Sequence, residues 1–134
     1  MNGEAQYTLE MKVRDYEVDS EGIVNNACYL NYFEHTRHEF CMEAGLSFDE
    51  MLRRGMAPVV RHVEVDYVRS LRSGQPFSSH LSLSRRGARF LFHQWITNAA
   101  GEMVTEAKVT IVNLLNGRPT RGDELAETFS RFLC

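Results

Sequence analysis

Hydrophobic and polar positions along the chain change period twice. From Tyr7 to Val13 they alternate, with Tyr7, Leu9, Met11 and Val13 on one side and Thr8, Glu10 and Lys12 on the other, which predicts a strand with one wet face. The period then lengthens. From Leu30 onward the larger side chains fall at Leu30, Phe33, Phe40 and Ala44, with Arg37 between them, the three-to-four spacing of one buried helical face. Asn25 and Asn26 are candidate N-caps, because an Asn side-chain oxygen accepts a free first-turn amide, and Gly45 suits a left-handed stop. The spacing predicts a helix from Ala27 to Ala44. Ser47-Phe48-Asp49-Glu50 then reads as a capping box opening a short helix that ends near Gly55.

Alternation returns after that. Val63, Val65 and Tyr67 alternate with His62, Glu64 and Asp66, a turn follows at Ser73-Gly74-Gln75-Pro76, and Phe77, Leu81 and Leu83 alternate with Ser78, His80, Ser82 and Ser84. Both read as half-buried strands. Beyond Gly87, the run from Phe90 to Thr97 is apolar on both sides, as in a central or interface strand. Asn98-Ala99-Ala100-Gly101 turns into a last strand, where Met103, Ala107, Val109 and Ile111 face inward against Glu106, Lys108 and Thr110 until Asn116-Gly117 and Pro119. The tail from Asp123 to Leu133 carries Leu125, Phe129, Phe132 and Leu133, enough for a short amphipathic helix. A sheet with one apolar face needs a partner layer, and the long helix is the element of matching length. The expectation is an α+β fold over residues 1–134, one domain, with a five-stranded antiparallel sheet wrapped around a long central helix.

Composition adds limits. With 134 residues, 43% hydrophobic and 25% charged, the chain has an ordinary globular balance. A formal net charge of −3 argues against general nucleic-acid binding and leaves room for a local basic patch. The opening MNGEAQYTLE has no basic region followed by an apolar run, and no stretch is long enough to span a bilayer, so a soluble, cytoplasmic protein without a membrane span is expected. Cys28, Cys41 and Cys134 are odd in number and lack metal-like spacing, which points to reduced structural thiols. His35 and His38 share a helical face without a third ligand, so no metal is expected.

Candidate chemistry gathers at the start of the long helix. Asp19 lies on a turn that Gly22 lets fold sharply, so acid and helix start can face one small volume. A helix N-terminus offers unpaired N–H groups able to hold a polarised carbonyl oxygen. The alternative is an exposed turn aspartate that only aids capping. Asn26 orients water or substrate, or merely caps. Glu34 and Arg37, three apart, read first as a helical ion pair and second as groups near the site. Arg85, Arg86 and Arg89 flank Gly87 and form a candidate surface for phosphate groups or an acidic partner, against a plain solvated turn. Met51, Leu52 and Met56 line a channel for a flexible apolar chain or fill the core.

The run Asp19-Ser20-Glu21-Gly22-Ile23-Val24-Asn25-Asn26-Ala27-Cys28-Tyr29-Leu30, followed by Phe33-Glu34-His35-Thr36-Arg37, resembles the hotdog-fold thioesterases of the 4-hydroxybenzoyl-CoA thioesterase type. Within them, the Asn25-Asn26 pair, Val13-Arg14-Asp15-Tyr16-Glu17, Arg72-Ser73-Gly74 and Arg118-Pro119-Thr120 are most similar to the acyl-ACP and acyl-lipid thioesterases of plastids and their bacterial relatives. The resemblance implies a hotdog fold, Asp19 as the catalytic acid and the backbone N–H of Asn26 as the oxyanion-hole donor. Some relatives carry His where this chain has Asn26 and Tyr where it has Asp15, so it is the backbone donor that carries over. It further implies dimers or tetramers with active sites at the subunit boundary. The expected function is hydrolysis of acyl-CoA or acyl-ACP thioesters to free acid and thiol, without cofactor. The alternatives are a non-catalytic acyl-thioester-binding module and a hotdog dehydratase, whose paired His and acid are not found here.

Overall fold

Strand pairing in the computed structural model, which describes residues 4–133, follows most of these periods. Strand β1 (Tyr7–Lys12) precedes helix α1 (Asn26–Glu43) and helix α2 (Phe48–Arg53). Strands β2 (Met56–Tyr67), β3 (Pro76–Arg86), β4 (Arg89–Asn98) and β5 (Met103–Leu115) then run in succession, all pairings being antiparallel in the order β1-β3-β4-β5-β2. A two-residue strand, β6 (Arg118–Pro119), adds to β5, and helix α3 (Asp123–Thr128) closes the described chain's regular structure. The doubly apolar strand β4 lies at the centre of this sheet, as expected.

Helix α1 fills the inner side of the sheet. Its buried face is Tyr29, Tyr32, Phe33, Thr36, Arg37, Phe40 and Cys41, which repeats at three and four residues. Leu30, expected on that face, is 41% exposed, because one residue beyond Tyr29 it points about 100° away around the helix. On β3, Ser79 takes the inward position between Phe77 and Leu81, and its hydroxyl meets Thr36 Oγ1 at 2.7 Å while Thr36 donates to Tyr32 O at 2.7 Å. Both buried hydroxyls therefore have partners. A register shift between Ile96 and Thr97 brings Val104 into the core and leaves Met103 half-buried.

Strand β2 departs from expectation. It begins at Met56 rather than near His62, and of the expected inward residues Val65 is half-buried while Val63 and Tyr67 are exposed. The reason is its place: β2 is an edge strand that among the described residues pairs only with β5, and it meets α1 chiefly at its Tyr67 end. The tail forms α3 and a following 3-10 turn, seating Leu125 and Phe129 in the core. Gly122 is required where it stands, since a Cβ there would lie 2.6 Å from Phe90 Cε1 and its φ is +84°. Cys28 and Cys41 are free thiols, and burial pushes the Cys41 pKa up to about 12; Cys134 lies outside the described residues. No described helix is long and apolar enough to cross a membrane.

Candidate active site

The Asp19 turn is closed by its own backbone and by its aspartate. Asp19 N–H donates to Ile23 O at 2.8 Å, Gly22 N–H donates to Asp19 O at 2.9 Å, and Val18 and Val24 pair across the base. Gly22, at φ +80°, permits the reversal. Asp19 Oδ1 accepts the amide of Glu21 at 2.8 Å and that of Ile23 at 3.4 Å. Its Oδ2 accepts no hydrogen bond among the described residues, and the side chain is exposed. One oxygen thus closes the turn and the other is available to a ligand or water.

The helix start is divided between two asparagines. Asn25 is the N-cap: its Oδ1 accepts Ala27 N–H at 2.9 Å and its carbonyl accepts Cys28 N–H at 2.9 Å. Asn26 is the first helical residue, exposed, and its own N–H is bonded to nothing among the described residues. Capping therefore belongs to Asn25, and the amide of Asn26 remains an uncommitted donor at the positive end of α1. Tyr67, at the end of β2, donates its hydroxyl to Asn26 O at 3.4 Å.

Turn and helix start are held together. Asn25 N–H donates to Glu17 O at 3.1 Å, and Cys28 Sγ–H donates to the same carbonyl at 3.6 Å. Cys28 is thus engaged as a structural thiol, and burial raises its pKa. On the other flank Val24 N–H donates to Leu71 O at 2.9 Å, and Leu71 N–H donates to Tyr29 Oη at 3.2 Å.

Other sequence candidates fall elsewhere. Arg85 donates to Gly87 O, Arg121 O and Asp123 Oδ1, and lies 5.4 Å from the Phe90 ring centroid, so it braces the β3–β4 hairpin to the tail. Arg86 and Arg89 face each other in register, are exposed, and make no ion pair within 4 Å among the described residues. Arg89 pairs with Val112, and Val112 with Val59, eight residues along β2 from Tyr67, so the arginines sit about 25 Å from the Asn26 end of the same protomer. Glu34 and Arg37 do not form the expected ion pair. Arg37 is buried and donates to Gln94 Oε1, while Glu34 lies 3.9 Å from His38, because the helix turns Arg37 inward and leaves Glu34 outside. Met51 and Met56 belong to the core, and Leu52 is exposed.

The bonding roles of Glu17, Tyr32 and Tyr67 were not legible in the sequence. Their partners stand 15 and 41 residues away, beyond any local spacing rule.

A model of the Thioesterase-like superfamily matches residues 13–131. The chain is 39% identical over 132 residues to acyl-acyl carrier protein thioesterase ATL2, chloroplastic, of Arabidopsis thaliana, covering 96% of this chain and 70% of that one. To ATL3 of the same plant it is 40% identical over 118 residues, covering 86% and 62%. The chain thus spans about two thirds of the length of these two relatives. The crystal structure of a probable thioesterase from Bartonella henselae superposes with a TM-score of 0.81 at 29% identity, covering 86% of this chain and 97% of that one.

Proposed function

The chain belongs to the Thioesterase-like superfamily, and on that premise we propose that it hydrolyses acyl-CoA or acyl-ACP thioesters to a free acid and a thiol at the Asp19 turn. The observation that carries this reading is the pairing of two unspent groups on one anchored frame: Asp19 Oδ2 and the N–H of Asn26. The N–H holds the thioester carbonyl oxygen as it becomes negative. The carboxylate either takes a proton from water as it attacks the acyl carbon, or attacks that carbon itself to give a mixed anhydride that water then opens. By either route the C–S bond breaks, the thiolate leaves and is protonated, and the acyl group departs as a carboxylic acid. A thiolate is a good leaving group, so no strong general acid is required.

The protein works as a homo-oligomer. Supporting this, β2 is a twelve-residue edge whose outer hydrogen-bonding groups have no partner strand among the described residues, with Val60, Val63 and Tyr67 exposed along it. Antiparallel pairing of β2 with its copy sets the Met56 end of one protomer beside the Tyr67 end of the other. That would carry Arg86 and Arg89 of one protomer toward the helix start of its partner, where they meet the CoA phosphates or an acidic carrier surface.

Thiol release measured on CoA and carrier-protein esters over a range of acyl lengths tests the activity. Stoichiometric thiol and acid are expected; tight binding of acyl-CoA without thiol release would leave only a binding module.

A further inference from the structure

Between the Asp19 turn and the core lies a buried carboxylate that the proposed chemistry does not use. Glu17 is only 9% exposed. Its Oε1 accepts the Tyr32 hydroxyl at 2.8 Å and the Arg14 backbone N–H at 2.8 Å, and its Oε2 accepts Arg14 Nη1 at 3.0 Å. The carbonyl of the same residue accepts Asn25 N–H at 3.1 Å. Glu17 is therefore bonded by its side chain to the second turn of α1 and by its backbone to the cap of α1.

Those two attachments bracket the Asp19 excursion. The segment between Glu17 and Asn25 is a closed hairpin turn whose bonds outside itself go to Asp15, Leu71 and Arg72, so its orientation relative to the Asn26 amide is set by those contacts and by its two ends at Glu17 and Asn25. A carboxylate buried without partners would be costly, and three donors satisfy this one, two from Arg14 and one from Tyr32, which α1 holds in place. Tyr32 is itself buried in edge-to-face contact with Tyr29 at 5.9 Å, so its hydroxyl has little freedom. Burial, followed by the bond to Glu17, raises the Tyr32 pKa, so the phenol stays a donor across the working range.

We propose that Tyr32 and Glu17 form a positioning pair that sets the reach of the Asp19 carboxylate to the Asn26 amide, and so act on turnover without touching substrate. This rests on the catalytic reading of Asp19. Displacement of a reacting group by about 1 Å costs turnover by up to about a hundredfold, whereas ground-state binding of the acyl and carrier parts does not run through this pair.

The test uses the full chain with decanoyl-CoA as probe, assayed by steady-state thiol release, with circular dichroism as the check on folding. Tyr32→Phe and Glu17→Ala are each expected to lower kcat by about tenfold or more with KM changed less than about twofold. Glu17→Gln, which keeps an acceptor oxygen for the tyrosine, is expected to restore most of what Glu17→Ala loses. Asp19→Asn runs alongside. If Asp19→Asn is inactive while Tyr32→Phe is folded with wild-type kcat, the positioning pair is overturned and the catalytic reading stands. If Asp19→Asn turns over normally, the catalytic reading falls and the pair falls with it. Should Glu17→Ala fail to fold, Tyr32→Phe, which removes one hydroxyl, decides alone.

Discussion

Arg37 donates from Nη1 to Oε1 of Gln94 at 2.9 Å, joining the inner face of α1 to the central strand of the sheet. Arg37 is 8% exposed and Gln94 fully buried, and Gln94 Nε2 donates in turn to Phe33 O at 3.0 Å. Burial lowers the Arg37 pKa from its ordinary value, and the desolvated guanidinium has Gln94 Oε1 as its hydrogen-bond acceptor. Gln94→Leu should therefore destabilise by about 2–3 kcal/mol, because it strands a buried guanidinium. Arg37→Met, which removes charge and need together, should cost much less. Urea unfolding midpoints compare the two, and equal losses would refute the account.

Asp19→Asn keeps an oxygen for the Glu21 amide, so the turn should survive. Activity should not. A loss in kcat of about a hundredfold or more is expected, since an amide neither takes a proton nor attacks carbon. Retention of more than a few per cent of activity would remove Asp19 from the mechanism.

Backbone and side chain at Asn26 are separable. It is the first helical residue, where proline is tolerated, and Asn25 before it has the extended backbone that precedes proline. Asn26→Pro should leave the helix content by circular dichroism unchanged while removing the N–H, lowering kcat by about a hundredfold or more. Asn26→Ala keeps the N–H and should stay close to wild type. A reversed order would assign the chemistry to the side chain.

His80 offers a pH dependence. Its ring lies between Thr8 Oγ1 and Thr97 Oγ1 and stacks on Trp95 at 5.3 Å. Burial lowers its pKa, an effect that Glu10 partly opposes. The unfolded chain therefore takes up the proton first as pH falls, so the stability His80 contributes is complete above the ordinary histidine value and is lost as pH drops toward the lowered one. Tm should fall between about pH 7 and pH 5 more steeply in the wild type than in His80→Gln. Parallel curves would count against it.

Charge on the β2 edge tests assembly. Val63→Arg and Val60→Arg are exposed changes that leave the described core untouched. In the proposed assembly, where the partner completes the site, they should convert oligomer to monomer by sedimentation velocity and reduce turnover with it. A fully active monomer would separate activity from assembly.

Periodicity alone determined the elements that bury one face: the alternation of β3 and β5, the doubly apolar β4 and the long helix, expected over Ala27 to Ala44 and found at Asn26–Glu43, were legible because each side chain's fate depends on neighbours a turn or a pleat away. The Asp19-to-Tyr29 motif pointed to the family by the same local means. Only the tertiary structure decided that β2 is an exposed edge, that Arg37 turns inward to Gln94 and away from Glu34, that Asn25 rather than Asn26 caps, and that Glu17 is bonded to Tyr32. Partners such as Gln94 and Tyr32 lie 57 and 15 residues off, and nothing in a local spacing says which distant group will arrive to satisfy a buried charge.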